Sequence, residues 1–209
     1  MRVLVHFALW RVGLAGAETQ TTEAERECLA RHAIGKKRLA EIGVWHGVTT
    51  SRLRQAMAAD AVLFAIDPFP AGRLGLSLPM LVAQKEVNRV SNGAVKWIRQ
   101  TGAAAAAGPC AKETFDFVFI DGEHTYEALR ADWTNWSARL EAGGTICLHD
   151  SRSSPQRPID HAGSVRFTSE SILRDPHFEV AETVDSLTVL THSRNRSLRK
   201  ESLDCLNGI

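Results

Sequence analysis

Short apolar runs alternate with longer amphipathic segments along most of the chain. The runs predicted to be buried strands cover 39–43, 61–66, 95–98, 115–120 and 145–148, and a closing hairpin is predicted over 178–183 and 187–191. The segments with helical spacing of apolar residues cover 22–33, 49–59, 78–90 and 126–140, followed by a helical turn at 169–174. Apolar strands separated by amphipathic helices predict a mostly parallel sheet covered on both faces, which is a three-layer α/β/α sandwich.

The two ends of the chain add little to this pattern. We expect a single domain over 1–209, with a helical amino-terminal segment over 1–35 and a flexible polar tail over 193–209. The apolar stretch 3–10 is too short to span a membrane and is followed by Arg11. It therefore predicts a helix that packs on the domain or on a partner subunit, and the second arrangement would make the protein a homo-oligomer.

Composition narrows the classes of function. The 209 residues are 44% hydrophobic and 23% charged, which is typical of a soluble globular protein. A formal net charge of +1 argues against a dedicated nucleic-acid binder, which normally has a strong basic excess. No CxxC pair occurs, which argues against a zinc knuckle or a thioredoxin motif and indicates a reducing, cytoplasmic compartment. The four cysteines are far apart in the chain, at Cys28, Cys110, Cys147 and Cys205.

Polar residues follow four of the predicted strands. They are the turn 43–47, Asp67, Asp121 and the pair His149-Asp150. In a parallel sheet the binding crevice lies beyond the carboxyl ends of the strands. The sequence therefore predicts that these residues converge on one site.

The first of these turns reads Glu41-Ile-Gly43-Val-Trp-His-Gly47-Val-Thr49. Glu41 stands where a dinucleotide-binding turn has its first glycine, and a carboxylate there would repel pyrophosphate. It suits a cationic ligand that carries an ammonium and a sulfonium, and Gly43 and Gly47 would let the backbone approach that ligand. Asp67, at the end of the next strand, is placed to bind ribose hydroxyls. The competing interpretations are that Glu41 is a cap or surface carboxylate and that Asp67 caps the next segment.

The later strand ends carry candidate reaction chemistry. Asp121 and Asp150 are placed to share a divalent ion, since hard oxygen ligands favour Mg²⁺, Ca²⁺ or Mn²⁺. His124 lies three residues after Asp121 and is a candidate base for a substrate hydroxyl, whose pKa a neighbouring metal would lower. Three roles stay open for His149: a metal ligand, a group that supports a metal ligand, or a packing residue at the strand end. Each of these residues also has a structural interpretation, as a turn former or a hydrogen-bonded histidine.

Four segments together resemble the class I S-adenosylmethionine (SAM) dependent methyltransferases. Within that class they are similar to the group that includes the macrocin-type sugar O-methyltransferases and the cephalosporin-hydroxylase-like proteins, and the similarity covers roughly 18–191. The resemblance implies a Rossmann-like, seven-stranded, mostly parallel sheet with an antiparallel last strand. The segments are Glu41-Ile-Gly43 to Thr50, Ala65-Ile-Asp67-Pro68-Phe69, Phe119-Ile-Asp121-Gly-Glu-His124-Thr-Tyr126 and Gly143-Gly144-Thr145-Ile-Cys-Leu-His149-Asp150.

The resemblance also implies roles for individual residues. It implies that Asp67 holds the ribose hydroxyls and that His124 is the base. This chain has His149 where the sugar enzymes carry an acid, which changes the expected metal affinity. The residues implied to line the cofactor are Glu41, Gly43, Gly47, Thr49, Asp67, Gly102, Ala103 and Asp121, and the implied Mg²⁺ site is Asp121, His149 and Asp150.

The sequence thus predicts a SAM-dependent methyltransferase that acts on a hydroxyl of a small molecule or sugar, with a divalent cation and His124 as general base. Three alternatives stay open. The transfer is metal-free and uses His124 alone, the chain is a non-catalytic SAM-fold binding module, or it is a nicotinamide oxidoreductase, which Glu41 disfavours.

Overall fold

A computed structural model, which describes residues 2–72 and 75–193, has one seven-stranded sheet. The strands follow the order β3-β2-β1-β4-β5-β7-β6 across the sheet. The first five are mutually parallel, and β7 is antiparallel to both β5 and β6. The predicted fold class is therefore confirmed. The strands are β1 (Arg38–Ile42), β2 (Val62–Ile66), β3 (Ala94–Ile98), β4 (Phe115–Ile120), β5 (Leu140–Leu148), β6 (Phe178–Val184) and β7 (Leu187–His192).

Helices cover both faces of this sheet. Residues from α2 and α3 pack on one face and residues from α5, α6 and α7 on the other. The described helices are α1 (Arg2–Arg11), α2 (Glu23–Ala33), α3 (Val48–Ala56), α4 (Leu78–Val87), α5 (Gly102–Ala107), α6 (Tyr126–Ser137) and α7 (Gly163–Glu170), with a 3-10 turn at Ile172–Arg174.

The central strand β4 explains the continuous apolar run at 115–120 in the sequence. Phe117 and Phe119 are fully buried in the core beneath α2 and α3, while Val118 and Ile120 are buried in the core beneath α5, α6 and α7. A strand that is covered on both faces needs apolar side chains at every position, so it reads as a continuous apolar run. The strand ends of β1, β2, β4 and β5 meet at one edge, and that edge carries the predicted site.

Several predicted boundaries were wrong. Helices α3, α4 and α6 end three residues earlier than predicted, and β5 begins at Leu140 rather than at 145. The alanine run is helix α5, whose first turn is capped by the Thr101 hydroxyl. Helix α7 begins at Gly163, well before the predicted turn, because Phe167 packs into the core and stabilises a segment with little helical signal of its own.

The amino-terminal helix α1 packs on the domain, one of the two arrangements expected. Trp10 is 8% exposed, its indole Nε1 donates to Glu86 of α4 at 3.2 Å, and the Lys85 ammonium lies 5.0 Å from its ring. Packing on a partner subunit stays a prediction for the rest of this helix. In the described part of the chain, no helix is both long and apolar enough to cross a membrane. The tail predicted from 193 onward lies, after Ser193, outside the described residues.

Candidate functional site

Two adjoining cavities lie at the carboxyl edge of the sheet, with volumes of about 350 Å³ and about 430 Å³. Four residues line both cavities and form the wall between them: Gly43, Asp67, Asp121 and Gly122. We call them the first and the second cavity. The first is also lined by Glu41, Thr49 and His124, and the second by Gly102 and Ala103. The structure thus brings most of the predicted site residues together.

The two glycines of the first turn have different neighbours. A Cβ on Gly43 would lie 2.0 Å from the backbone oxygen of Asp121, and its φ of +90° also favours glycine. Gly43 therefore allows β1 to end against the end of β4. Gly47 lies outside the described linings of both cavities, and a Cβ there would meet Ala83 of α4 at 3.0 Å. Among the described residues its closest neighbours are Ala83 and Val87 of α4, and its predicted contact with the cofactor stays a prediction.

Asp67 organises the turn that follows β1. Its Oδ2 accepts hydrogen bonds from the backbone N–H groups of Val44 and Trp45 at 3.0 and 3.1 Å, and its Oδ1 accepts from Phe69 N–H at 2.7 Å. The bond to Phe69 matches the competing interpretation of Asp67 as a local cap. Each carboxylate oxygen has more than one acceptor position, so the same side chain can still receive a hydroxyl from the cavities that it lines.

Glu41 is a buried acid at the cavity wall. It is 1% exposed, and neither of its carboxyl oxygens meets a donor at hydrogen-bonding geometry among the described residues. Burial raises its pKa well above the ordinary value; the neighbouring Thr50 hydroxyl lowers the pKa, although not at hydrogen-bonding geometry, and the nearby Asp121 and Asp67 raise it. A buried carboxyl without a donor is costly, so a cationic donor in the first cavity would stabilise it.

The second cavity holds an acid that the sequence analysis did not single out. Asp132 of α6 lines it, and burial raises its pKa to about 6. A Cβ on Gly102 would lie 2.3 Å from Asp132 Oδ1 and 2.8 Å from Ile42 Cγ2, so a side chain where α5 begins would force both neighbours to shift. The tertiary structure brings α5 and α6 together at the wall of the second cavity. The sequence around Asp132 predicts a helix but does not predict this contact.

A buried histidine lies directly behind the first cavity. His149 is 2% exposed, its Nδ1 lies 2.8 Å from Asp121 Oδ1, and its Nε2 lies 3.4 Å from Glu25 Oε2. Burial alone would lower the pKa of His149, but the hydrogen bonds with Asp121 and Glu25 outweigh it and raise the pKa to about 10. A raised pKa favours the protonated imidazole at neutral pH, which would donate to Asp121 through Nδ1 and lie within ion-pair distance of Glu25 through Nε2.

Glu25 holds this histidine from helix α2. Burial raises its pKa, but hydrogen bonds from His149, Thr22 and Ser186 outweigh burial and lower the pKa to about 2. Glu25 closes a capping box with Thr22 and accepts from both the backbone and the hydroxyl of Ser186, at 2.9 and 2.7 Å. One carboxylate thus ties the start of α2, the β6–β7 turn and His149 together.

The second aspartate of the predicted metal set is also paired. Asp150 is 2% exposed, its Oδ2 accepts a hydrogen bond from Nη2 of Arg157, and its Oδ1 forms an ion pair with Nε of the same guanidinium. Its Oδ2 also lies 3.2 Å from Nε2 of His124. This contact is an ion-pair distance and not a formed hydrogen bond; a small rotation that made Nε2 the donor would leave Nδ1 as an acceptor, the arrangement of a base oriented by a carboxylate.

These pairings decide how well the residues suit a divalent cation. Donor atoms of Asp121, His124 and His149 do lie within 4.8 Å of one another. In this structure, however, Asp121 is bonded to His149 and Asp150 is paired with Arg157, so a divalent cation would have to displace these partners and a proton from His149. The predicted metal set of Asp121, His149 and Asp150 stays a prediction.

Two residues of this network escaped the sequence analysis. Glu25 had one available signal, the capping-box spacing from Thr22, but that spacing predicts a helix start and not a contact with His149. Arg157 lies in a loop without any motif, and only the tertiary structure places it against Asp150.

Residues 40–151, more than half of the chain, match the protein family described as "Methyltransferase domain". The uncharacterized protein y4gI of Sinorhizobium fredii (strain NBRC 101917 / NGR234) is 26% identical over 128 residues. That match covers 57% of this chain but only 14% of y4gI, so the chain spans a small part of its relative.

Solved structures share the fold. A protein from Corynebacterium glutamicum aligns with a TM-score of 0.65 and 18% identity, covering 94% of this chain and 92% of that chain. The O-methyltransferase from Bacillus cereus, solved in complex with SAH, aligns with a TM-score of 0.58 and 16% identity, covering 92% and 89%. At such identities the likeness establishes the fold alone.

The charge state of His149 is directly measurable. We expect its ring nitrogens to stay protonated from about pH 6 to about pH 8 in long-range ¹H–¹⁵N NMR spectra, where an ordinary histidine titrates. Because the pKa is raised, the stability that this ion pair contributes is present below about pH 6.5 and is lost as the pH rises through about 10.

Glu25→Gln should lower the pKa of His149, whereas Glu23→Gln, on the exposed side of the same helix, should leave it unchanged. A His149 that titrates near pH 6.5 in the wild type, or that is indifferent to Glu25→Gln, would contradict this charge assignment.

Proposed function

This chain belongs to the methyltransferase-domain family, and we propose that it transfers a methyl group from SAM to a hydroxyl group of a small molecule or sugar. The observation that carries the proposal is the buried carboxyl of Glu41, which lacks a hydrogen-bond donor and lines the first cavity. SAM carries an ammonium and a sulfonium, so its amino-acid half supplies the positive charge that this wall needs. A pyrophosphate cofactor would instead place negative charge there.

The two cavities suit the two halves of SAM. We assign the amino-acid half to the first cavity, beside Glu41 and Thr49, and the nucleoside half to the second cavity, beside Gly102, Ala103 and Asp132. Asp67 lines both cavities and would receive the ribose hydroxyls. The wall that the two cavities share supports this assignment. A single ligand that occupies both cavities has to lie against Asp67, which places its ribose there.

His124 is the residue that we propose as the base. When bound, SAM supplies an electrophilic methyl group on its sulfonium. His124 lines the first cavity, is 36% exposed at its side chain, and is oriented by Asp150. Its Nδ1 would accept the hydroxyl proton of the acceptor while the oxygen bonds to the methyl carbon. Asp150 would stabilise the imidazolium that results, without taking the proton itself.

The arrangement favours the metal-free alternative for this transfer. His149 and Arg157 already neutralise the carboxylates of Asp121 and Asp150, so the chain's own side chains provide the positive charge at the strand ends. Methyl transfer from a sulfonium depends mainly on positioning the nucleophile in line, and a fixed pair of strand ends supplies that positioning.

Calorimetry with two ligands tests the cofactor assignment. Glu41→Gln should weaken SAM by about 10- to 100-fold, the value of one hydrogen bond to a charged group, and should leave adenosine, which lacks the amino-acid half, nearly unaffected. Asp67→Ala should weaken both ligands, SAM by about 2–4 kcal/mol. Asp60→Ala, an exposed aspartate away from the cavities, is the control. Equal SAM affinity in all four proteins would remove the proposed cofactor site.

A panel of small alcohols and sugars, assayed by release of S-adenosylhomocysteine, tests the base. With an acceptor that turns over, His124→Ala should lower kcat by about 10²- to 10⁴-fold while SAM affinity and Tm change little. His161→Ala replaces an exposed histidine and should match the wild type. Near wild-type turnover in folded His124→Ala would exclude the base role, and a lowered Tm with unchanged kcat would make His124 a structural residue.

A further inference from the structure

A second group of metal-binding side chains lies on the other side of helix α2, away from both cavities. Cys28 and His32 are four residues apart and so share one face of this helix. Glu182 of β6 lies against that face, and its Oε2 is 2.9 Å from Nε2 of His32. One donor atom from each of the three residues lies within 4.8 Å of the others.

A β-bulge turns Glu182 toward α2. Val180 pairs with Leu190 and Glu182 pairs with the next residue, Val189, so Ala181 is an extra residue in β6. Leu190 and Val189 belong to the cores on opposite faces of the sheet. In a regular strand Glu182, two residues after Val180, would lie on the same face as Val180 and Leu190. Bulges commonly re-aim a side chain in this way.

The distance between the imidazole and carboxylate donors is close to that around a bound ion, and the Cys28 sulfur lies within 4.8 Å of both. Two ligands about 2.1 Å from a tetrahedral zinc ion are roughly 3.4 Å apart. The present separation between His32 Nε2 and Glu182 Oε2 therefore has to open by only about 0.5 Å. Arg31 donates to the other carboxylate oxygen, Oε1, at 2.6 Å, which leaves Oε2 for a metal and supplies the outer hydrogen bond that ligating carboxylates usually have.

We propose that Cys28, His32 and Glu182 form a zinc site, with water as the fourth ligand. A thiolate, an imidazole and a carboxylate are the donors that Zn²⁺ accepts, and the thiolate disfavours Mg²⁺ and Ca²⁺. One thiolate and one carboxylate neutralise the ion in a region where Cys28 is fully buried and the other two side chains are partly buried.

The ion would join α2 to β6 at a second point. The first is the contact of Glu25 with Ser186 in the β6–β7 turn, one turn before Cys28 on the same helix. Zinc would therefore stabilise the helix that holds His149, without touching the proposed reaction site.

Titration with Co²⁺ and Zn²⁺, on tag-free protein, tests this site. We expect one Co²⁺ per chain with a near-ultraviolet cobalt–thiolate absorption band, displaced by one equivalent of Zn²⁺, and a Tm that rises with zinc. Cys28→Ser should abolish the band, and His32→Asn and Glu182→Gln should weaken zinc by more than the roughly 10- to 100-fold that loss of a supporting partner costs.

The controls separate this site from others. Cys110→Ser, which replaces another buried thiol, should keep the band, as should Cys205→Ser and His46→Gln. His32→Asn changes a partly exposed residue, so it keeps the test valid if Cys28→Ser does not fold. Absence of zinc binding by the folded wild type would overturn the proposal, as would binding that survives His32→Asn or is lost in His46→Gln.

Discussion

A positive charge buried behind the strand ends holds the reaction edge of this protein together. His149 lies between Asp121 of the β4 end and Glu25 of α2, and Glu25 is bonded in turn to Thr22 and Ser186. Burial of a lone charge is costly, and removing one partner of a buried pair typically costs about 3–5 kcal/mol. The position of α2, the β6–β7 turn at Ser186 and the Asp121 side chain are therefore fixed by one cluster of charges.

The same cluster gives the site its chemical character. The sugar O-methyltransferases that the sequence resembles carry an acid at the position of His149. From that resemblance we expected a Mg²⁺ site at this position. In this chain the position holds a cation, and Arg157 pairs with the remaining aspartate, Asp150. Glu41, at the wall of the first cavity, is a buried acid whose carboxyl oxygens accept no hydrogen bond from the described residues. Under the proposed function, the chain supplies positive charge beside Asp121 and Asp150, and SAM supplies it beside Glu41.

The sequence predicted the sheet and the convergence of Glu41, Asp67, Asp121 and His124, because both follow from local rules. Doubly buried strands need continuous apolar runs, and the ends of parallel strands share an edge. It could not predict the contact between Glu25 and His149, since the two residues are distant in the chain and the capping box explained Glu25 locally. The neighbours that make Gly47 a packing residue were likewise invisible in the sequence. The fold is observed in the structure, whereas the roles of these residues are proposals.

We propose that the carboxyl edge of the sheet functions with the chain's own cations. The most direct measurement is calorimetric titration of Mg²⁺ and Mn²⁺ into the protein saturated with S-adenosylhomocysteine, which needs no knowledge of the methyl acceptor. We expect no stoichiometric binding of either ion at millimolar concentration, in the wild type and in Asp121→Asn alike. One ion per chain in the wild type, lost in Asp121→Asn, would contradict it and restore the metal to the site.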